Sequence, residues 1–542
     1  MASVANIARL FNTVRHLRPV QVFGRIRFRL VRPQPDLRPA PSLRPARGTW
    51  CRPAERRPSM IAPGRFRFLN AEHDLAAVGW DDPSLAKLWR YNEHYFDDLC
   101  AEGSQLRASW HRDLLVRWVR ENEPGRGTGW EPYPTSLRIV NWCKWFLAGN
   151  ELPADCVQSL AVQARWLRRR LEWHLLGNHL FVNAKALVYA GSVFDGPEAG
   201  DWIKLGIDIL REQIPEQILE DGGQFERSPM YHALALEDML DLLNLGRAYP
   251  GGLGPLLPMV ESRLPAMRRW LTAMCHPDGE IAFFNDAAFG VHPSPAQIER
   301  YACELGLPRQ CPIEDGLTLL RSSGYARLQT GGGQTVAIFD VGRIGPDYLP
   351  GHAHADTLSL ELSVRGRRIL VNSGTSEYGS GAERSRQRGT AAHNTMTVDG
   401  ADSSEVWGGF RVARRALPFD LEFTDGQELS VACSHDGFRR LAGRPSHRRV
   451  VTLSSNALRI DDFLSAPGRV RSHWHLRPGI ALAPSGSGAF VLEPDGVRMQ
   501  FLDCRTDSML STWHPEFGLS VSNECLTGIP SGAFSSVRLS WQ

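Results

Sequence analysis

The chain has 542 residues, of which 42% are hydrophobic and 22% charged, and a formal net charge of +3. That length exceeds one ordinary core and implies two or three globular domains. So small a net charge argues against a nucleic-acid partner, and no apolar run is long enough to span a bilayer.

At the N-terminus the charge is uneven: the first sixty residues hold about a dozen arginines but only the acids Asp36 and Glu55. The stretch "NTVRHLRPVQVFGRIRFRLVRPQPDLRPAPSLRPARG" can meet an anionic polymer or a membrane surface. It can equally run as a helix followed by a Pro-rich strap, and residues 1–70 are read as such a basic arm packed on the body. The first twenty residues lack a charged segment followed by a continuous apolar core, so no ordinary secretory signal is recognised. The ten cysteines form no C-x-x-C pair, which argues for free thiols rather than a cysteine-bound metal.

Residues 71–310 read as successive helices. "LAVQARWLRRRLEWHLLG", "HLFVNAKALVYAG", "DWIKLGIDILREQIPEQILE", "PMYHALALEDMLDLLNLG" and "LPAMRRWLTAMCH" place apolar residues three and four apart. Ser228-Pro229 predicts an N-cap and first helical residue, and Gly246 the end of the same helix. Gly177-Asn178 predicts the end of one helix and the cap of the next, with His179 as the first helical residue. Such helices with short turns imply a bundle, a solenoid or a closed toroid. From 316 to 542 the texture changes to short alternating runs such as "TVAIFDVG", "HNTMTVDG" and "RRVVTLSSNALRIDDFL", which predict an antiparallel β-sandwich.

Three polar clusters fall at element ends. In "LLGNHLFVNAK", Asn178 and His179 would offer directed donors at a helix start, where the backbone favours a carboxylate; an ordinary helix cap is the plainer alternative. In "DGGQFERSPMYHALALED", Tyr231 lies in a first helical turn, a position expected to favour its ionised form. In "GHAHADTLSLEL", His352 and His354 alternate before a strand. His354, His393 and an oxygen, either Asn372 or Asp356, would make a three-ligand zinc site with room for water. Without metal these imidazoles would bond loops. Aromatic, amide and guanidinium groups in "GWEPYPTSLRIVNWCKWF", including Tyr133 and Arg138, suit sugar rings bearing carboxylates or simply core packing. Arg384, Arg386 and Arg388 in "ERSRQRGTAAHN" suit anion steering or a solvated charge run.

The segments "GNHLFVNAKALVYAG", "DGGQFERSPMYHALALEDMLDLL", "GHAHADTLSLEL", "VNSGTSEYG" and "RGTAAHNTMTVDG", in this order, resemble the heparinase II/III family of polysaccharide lyases. The resemblance runs from about Tyr91 to Arg415 and includes "WEPYPTSLRIVNW" and "HPDGEIAFFND". It implies an α/α toroid followed by a β-sandwich, and β-elimination at a 4-linked hexuronate in an anionic polysaccharide. Residue by residue, Asn178 and His179 match a carboxylate-neutralising pair, Tyr231 the catalytic tyrosine, and His352 an opposing base or carboxylate partner. His354 and His393 match metal-binding histidines. Asn372 stands where the family usually has Asp, and a zinc ion there would be structural. Tyr378 resembles a site tyrosine, with Arg388, Glu226, Tyr133 and Arg138 as further substrate contacts. The resemblance places such a protein in the periplasm or cell envelope. It implies no organic cofactor.

Two other readings are carried. Glu226, Glu237 or Asp286 could serve a glycoside hydrolase on the same toroid. A non-catalytic exopolysaccharide-binding or assembly protein would bind the polymer and release no product.

Overall fold

The computed structural model describes residues 4–542. It opens with two helices, Val4–Val14 and Pro19–Leu30, where the sequence suggested one, and continues as an extended strap to a small three-stranded sheet over Met60–Asp74. The strap holds to the helical body by side chains that capture its backbone: Arg165 donates to the carbonyls of Arg38 and Pro39, and Asn244 to that of Cys51. All ten cysteines are free. Among the described residues no helix is long and apolar enough to cross a membrane.

The helical half runs from Lys87 to Glu304, and its main helices include Pro132–Leu147, Ala154–Arg169, Gly177–Val193, Pro197–Gln217, Pro229–Ala248 and Leu256–Ala273. Ser228 caps its helix as read from the sequence, its hydroxyl accepting from the Tyr231 N–H at 3.2 Å. Gly246 does not end that helix, which continues to Ala248. A β-carbon at Gly246 would lie 2.8 Å from Leu257 Cδ1, so this glycine permits close helix packing. Asn178 is likewise not the cap: its helix begins at Gly177 and Leu176 holds the cap position.

After the helical half, strands resume at Gly316 and form five-, eight-, four- and two-stranded antiparallel sheets. In the eight-stranded sheet, His447–Leu453 alternates buried and half-buried residues, as expected of a strand with one face on a core. In the five-stranded sheet, Gly316–Leu370, the three central strands are buried on both faces. Ala326, Leu328, Ala337, Phe339 and Leu362 join the sandwich core, while Tyr325, Val336 and Ile338 pack with Trp270 and Met274 of the helix Leu256–Ala273 and the residue after it. This sheet therefore joins the two halves. Glu361 strengthens the junction: its carboxylate accepts from the backbone N–H groups of Phe283 and Asn372 and lies 3.0 Å from His276 Nε2. Burial pushes that carboxyl up to about 7.

Candidate active site

A cavity of about 1760 Å³ lies where the helical half, the sandwich and the N-terminal arm meet. Asn178, His179, Tyr133, Glu226, Tyr231, His352 and Tyr378 all line it.

Its toroid wall depends on local backbone geometry. Leu176 and Gly177 both take positive φ, 64° and 54°, turning the chain so that Asn178 and His179 open the next helix at the cavity. A β-carbon at Gly177 would come within 2.2 Å of Leu349 Cδ2, on the loop that carries His352. His179 Nδ1 lies 3.1 Å from Glu172 Oε1, and the Tyr133 ring is 4.6 Å from the imidazole, centroid to centroid. Burial opposes protonation of His179, but Glu172 outweighs it, with help from Glu226, and raises the imidazole above its ordinary value of 6.5.

Tyr231 faces the second wall. Its hydroxyl is 2.9 Å from that of Tyr378, and its ring centroid is 4.0 Å from that of His352. The helix start was expected to favour a phenolate; the structure reverses that expectation. Burial, with Tyr378, Tyr133 and Asp286 adding to it, holds the phenol well above its ordinary range. Tyr231 is therefore held in its protonated form.

His352 and His354 precede the strand Leu360–Val364 on an irregular loop, and both turn to one carboxylate. Asp286 Oδ2 is 2.8 Å from His352 Nδ1, and its Oδ1 is 2.8 Å from His354 Nε2. The Arg384 guanidinium grips the same carboxylate through two nitrogens. Burial opposes ionisation of Asp286, but Arg384 and the two imidazoles outweigh it and hold the carboxyl well below its usual range. An ionised Asp286 fixes the proton of His352 on Nδ1, which leaves Nε2 as the basic nitrogen. That nitrogen lies 3.9 Å from Glu226 Oε2, a buried oxygen without a hydrogen-bond partner among the described residues.

Of the two oxygens the sequence offers for zinc, the geometry favours Asp356 over Asn372. Asn372 is turned away: its amide donates to Phe283 O at 2.8 Å and its oxygen accepts from Asn394 N–H at 3.1 Å. His354, Asp356 and His393 instead bring one ligand atom each within 4.8 Å of one another, and His393 Nδ1 is buried without a partner. Two imidazoles and a carboxylate suit zinc. Burial raises the Asp356 carboxyl, a cost that a bound cation would offset.

Two proposed substrate contacts do not reach the cavity. Arg138 is fully buried, its guanidinium 3.8 Å over the Trp118 ring and its Nε on Gln163. Arg388 donates twice to the Ala353 carbonyl, between the two loop histidines, and is also buried. Nor do the three neighbouring arginines form a free steering loop: Arg384 is taken by Asp286, and Arg386 by Glu383 and His514. Sequence reasoning assigned no partner to His179. Glu172, seven residues upstream across a turn, carried no helical spacing that would have revealed it.

A helical ring and a sandwich that share one cavity define a two-part protein. Residues 108–299 match the heparinase II/III N-terminus and residues 313–526 the heparinase II/III-like C-terminal model. The chain belongs to the heparinase II/III family. It is 28% identical over 325 residues to a heparin-sulfate lyase of Bacteroides stercoris, covering 56% of this chain and 46% of that protein. It is 26% identical over 323 residues to one from Pedobacter heparinus, covering 52% and 46%. The chain thus spans about half the length of these relatives. A crystal structure of a heparinase III shares the fold, with a TM-score of 0.64 at 17% identity over 85% of this chain and 78% of that one.

Proposed function

We propose that the chain is a polysaccharide lyase that cleaves a uronate-containing polymer by β-elimination. The observation that carries this reading is the convergence of the Tyr231 hydroxyl and the His352 ring with Asn178 and His179 in one cavity. The names of the relatives, heparin-sulfate lyases, support the same reaction and a glycosaminoglycan-like uronate.

In this reading the uronate carboxylate sits against Asn178 and protonated His179, which stabilise the charge that develops on it as C5 loses its proton. His352 Nε2 takes that proton. The C5–H electrons form the C4=C5 double bond, the C4–O4 bond breaks, and Tyr231 protonates the departing O4. The raised phenol suits Tyr231 to donate, and Asp286 suits His352 to accept. The hydrolase alternative finds less support. Asp286 is fully bonded by Arg384 and two imidazoles, and Glu237 is paired with Arg56, leaving no facing pair of free carboxyls among the three candidates.

Zinc, if bound by His354, Asp356 and His393, would supply a fixed positive charge that stiffens the loop behind His352. Metal analysis of the purified chain checks this: Asp356→Asn should lose the zinc and Asn372→Ala should keep it.

Incubation with a panel of uronate polymers tests the reaction. A lyase product absorbs in the ultraviolet through its new double bond, whereas new reducing ends without absorbance would establish hydrolysis. Binding without product would favour an assembly role.

A further inference from the structure

The N-terminal helix pair has two unlike faces. On the inner face, Gln21 donates to the Tyr348 carbonyl at 3.1 Å, Arg18 lies 3.7 Å over the Tyr348 ring, and Phe28 meets His174 at 4.3 Å between ring centroids. Gly24 belongs to this stripe; a β-carbon there would lie 3.0 Å from the His174 backbone nitrogen. Trp407 Nε1 donates to the Thr13 hydroxyl at 3.2 Å and fixes the first helix. The pair is therefore seated on the body by specific contacts.

The outer face is apolar and open. Ile7 and Phe11 are 61% and 65% exposed, and on the second helix Phe23, Ile26 and Leu30 are 72%, 52% and 78% exposed. Spacings of three and four residues put each set on one side of its helix. Arg27 and Arg29 are exposed beside them, Arg32 follows just past the helix end, and no acid precedes Asp36 in the chain. A helix with an apolar side flanked by arginines lies in a lipid interface, its rings and aliphatic chains below the headgroups and its guanidinium groups among them.

We propose that this outer face docks the chain on an anionic lipid surface. A second copy fits less well, because it would set seven further arginines of residues 1–35 against the first seven. An anionic polysaccharide would engage the arginines and leave Phe23 and Leu30 in water. The same helices and the turn between them contribute Leu10, Val14, Leu17 and Arg25 to the lining of the cavity, so docking brings the cavity beside the lipid surface. This inference stands independently of the lyase reading.

Flotation of the intact chain with vesicles tests it. The chain should float with phosphatidylcholine vesicles containing about one third phosphatidylglycerol, and much less with phosphatidylcholine alone. Phe23→Asp combined with Leu30→Asp should abolish flotation while leaving thermal stability and turnover of soluble polymer unchanged, since neither side chain packs inside. Arg27→Gln combined with Arg29→Gln should weaken binding roughly thirtyfold. Failure of the parent chain to float with the anionic vesicles would overturn the proposal, as would flotation of the double aspartate variant at the parent level. A solution dimer dissociated by that same variant would assign the face to a second copy instead.

Discussion

On the toroid wall of the cavity, Asn178, His179 and Tyr133 keep partial solvent contact. On the sandwich wall, His352 reaches the cavity and is backed by Asp286, Arg384 and His354, which have no solvent contact. The wetter wall holds its imidazole by one carboxylate, Glu172, and can adjust to the anion it receives. The dry wall fixes a tautomer. Its buried ion pair is costly to break, because removing one partner leaves the other charge desolvated. The contrast fits a division of labour in which one side accommodates the substrate's charge and the other sets the direction of proton movement.

The sharpest break in this contrast is Tyr231→Phe, at the boundary of the two walls. Because the hydroxyl bonds only Tyr378, the fold should be retained while kcat falls about 10⁴-fold with little change in KM. A decrease below about tenfold in steady-state assays would remove Tyr231 from the proton transfer. Asp286→Asn attacks the dry wall, and turnover should fall about 10³-fold as His352 loses its fixed tautomer. Arg384 would be left with its charge uncompensated, and denaturant unfolding should show a loss of about 3–5 kcal/mol. Comparable damage to turnover without any loss of stability would mean that the two walls are equally soft.

The smallest effect belongs to the wetter wall. Its folded-state imidazole is raised, so the protonated His179 that the proposed mechanism uses is present below 6.5 and is lost as pH rises through the raised value. Glu172→Gln removes the main cause of that rise. The alkaline limb of the kcat/KM profile should move to lower pH, with stability changed by about 1 kcal/mol. An unmoved limb would separate His179 from substrate binding.

Much of the architecture was legible in the chain, because periodicity reports burial directly: the helices, the change to strands at Gly316 and the Ser228 cap follow from spacing and capping chemistry. The failures share a cause. Arg138 and Arg388 are buried structural cations whose partners, a tryptophan face and main-chain carbonyls, come from distant segments and leave no local pattern. Sequence alone did not decide between Asn372 and Asp356 as the third zinc ligand, because the Asn372 amide is spent on the backbone of Phe283 and Asn394, which only the fold brings near. The protonation of Tyr231 depended on Tyr378, 147 residues away, and on burial. The alternation of His352 and His354 correctly suggested a shared side. That their common partner is Asp286 required the fold.

The contact of Gly177 with Leu349 leads further. It acts as a spacer gauge: the absence of a side chain on the ring side lets the sheet-side loop settle at one set depth, and that depth fixes the bore between the two halves. In the lyase proposed above, the length of residues 341–351 would therefore set the girth of the polymer admitted, leaving Tyr231 and His179 untouched. Insertions there, rather than exchanges at the chemistry itself, are where differences in polymer choice should first be sought.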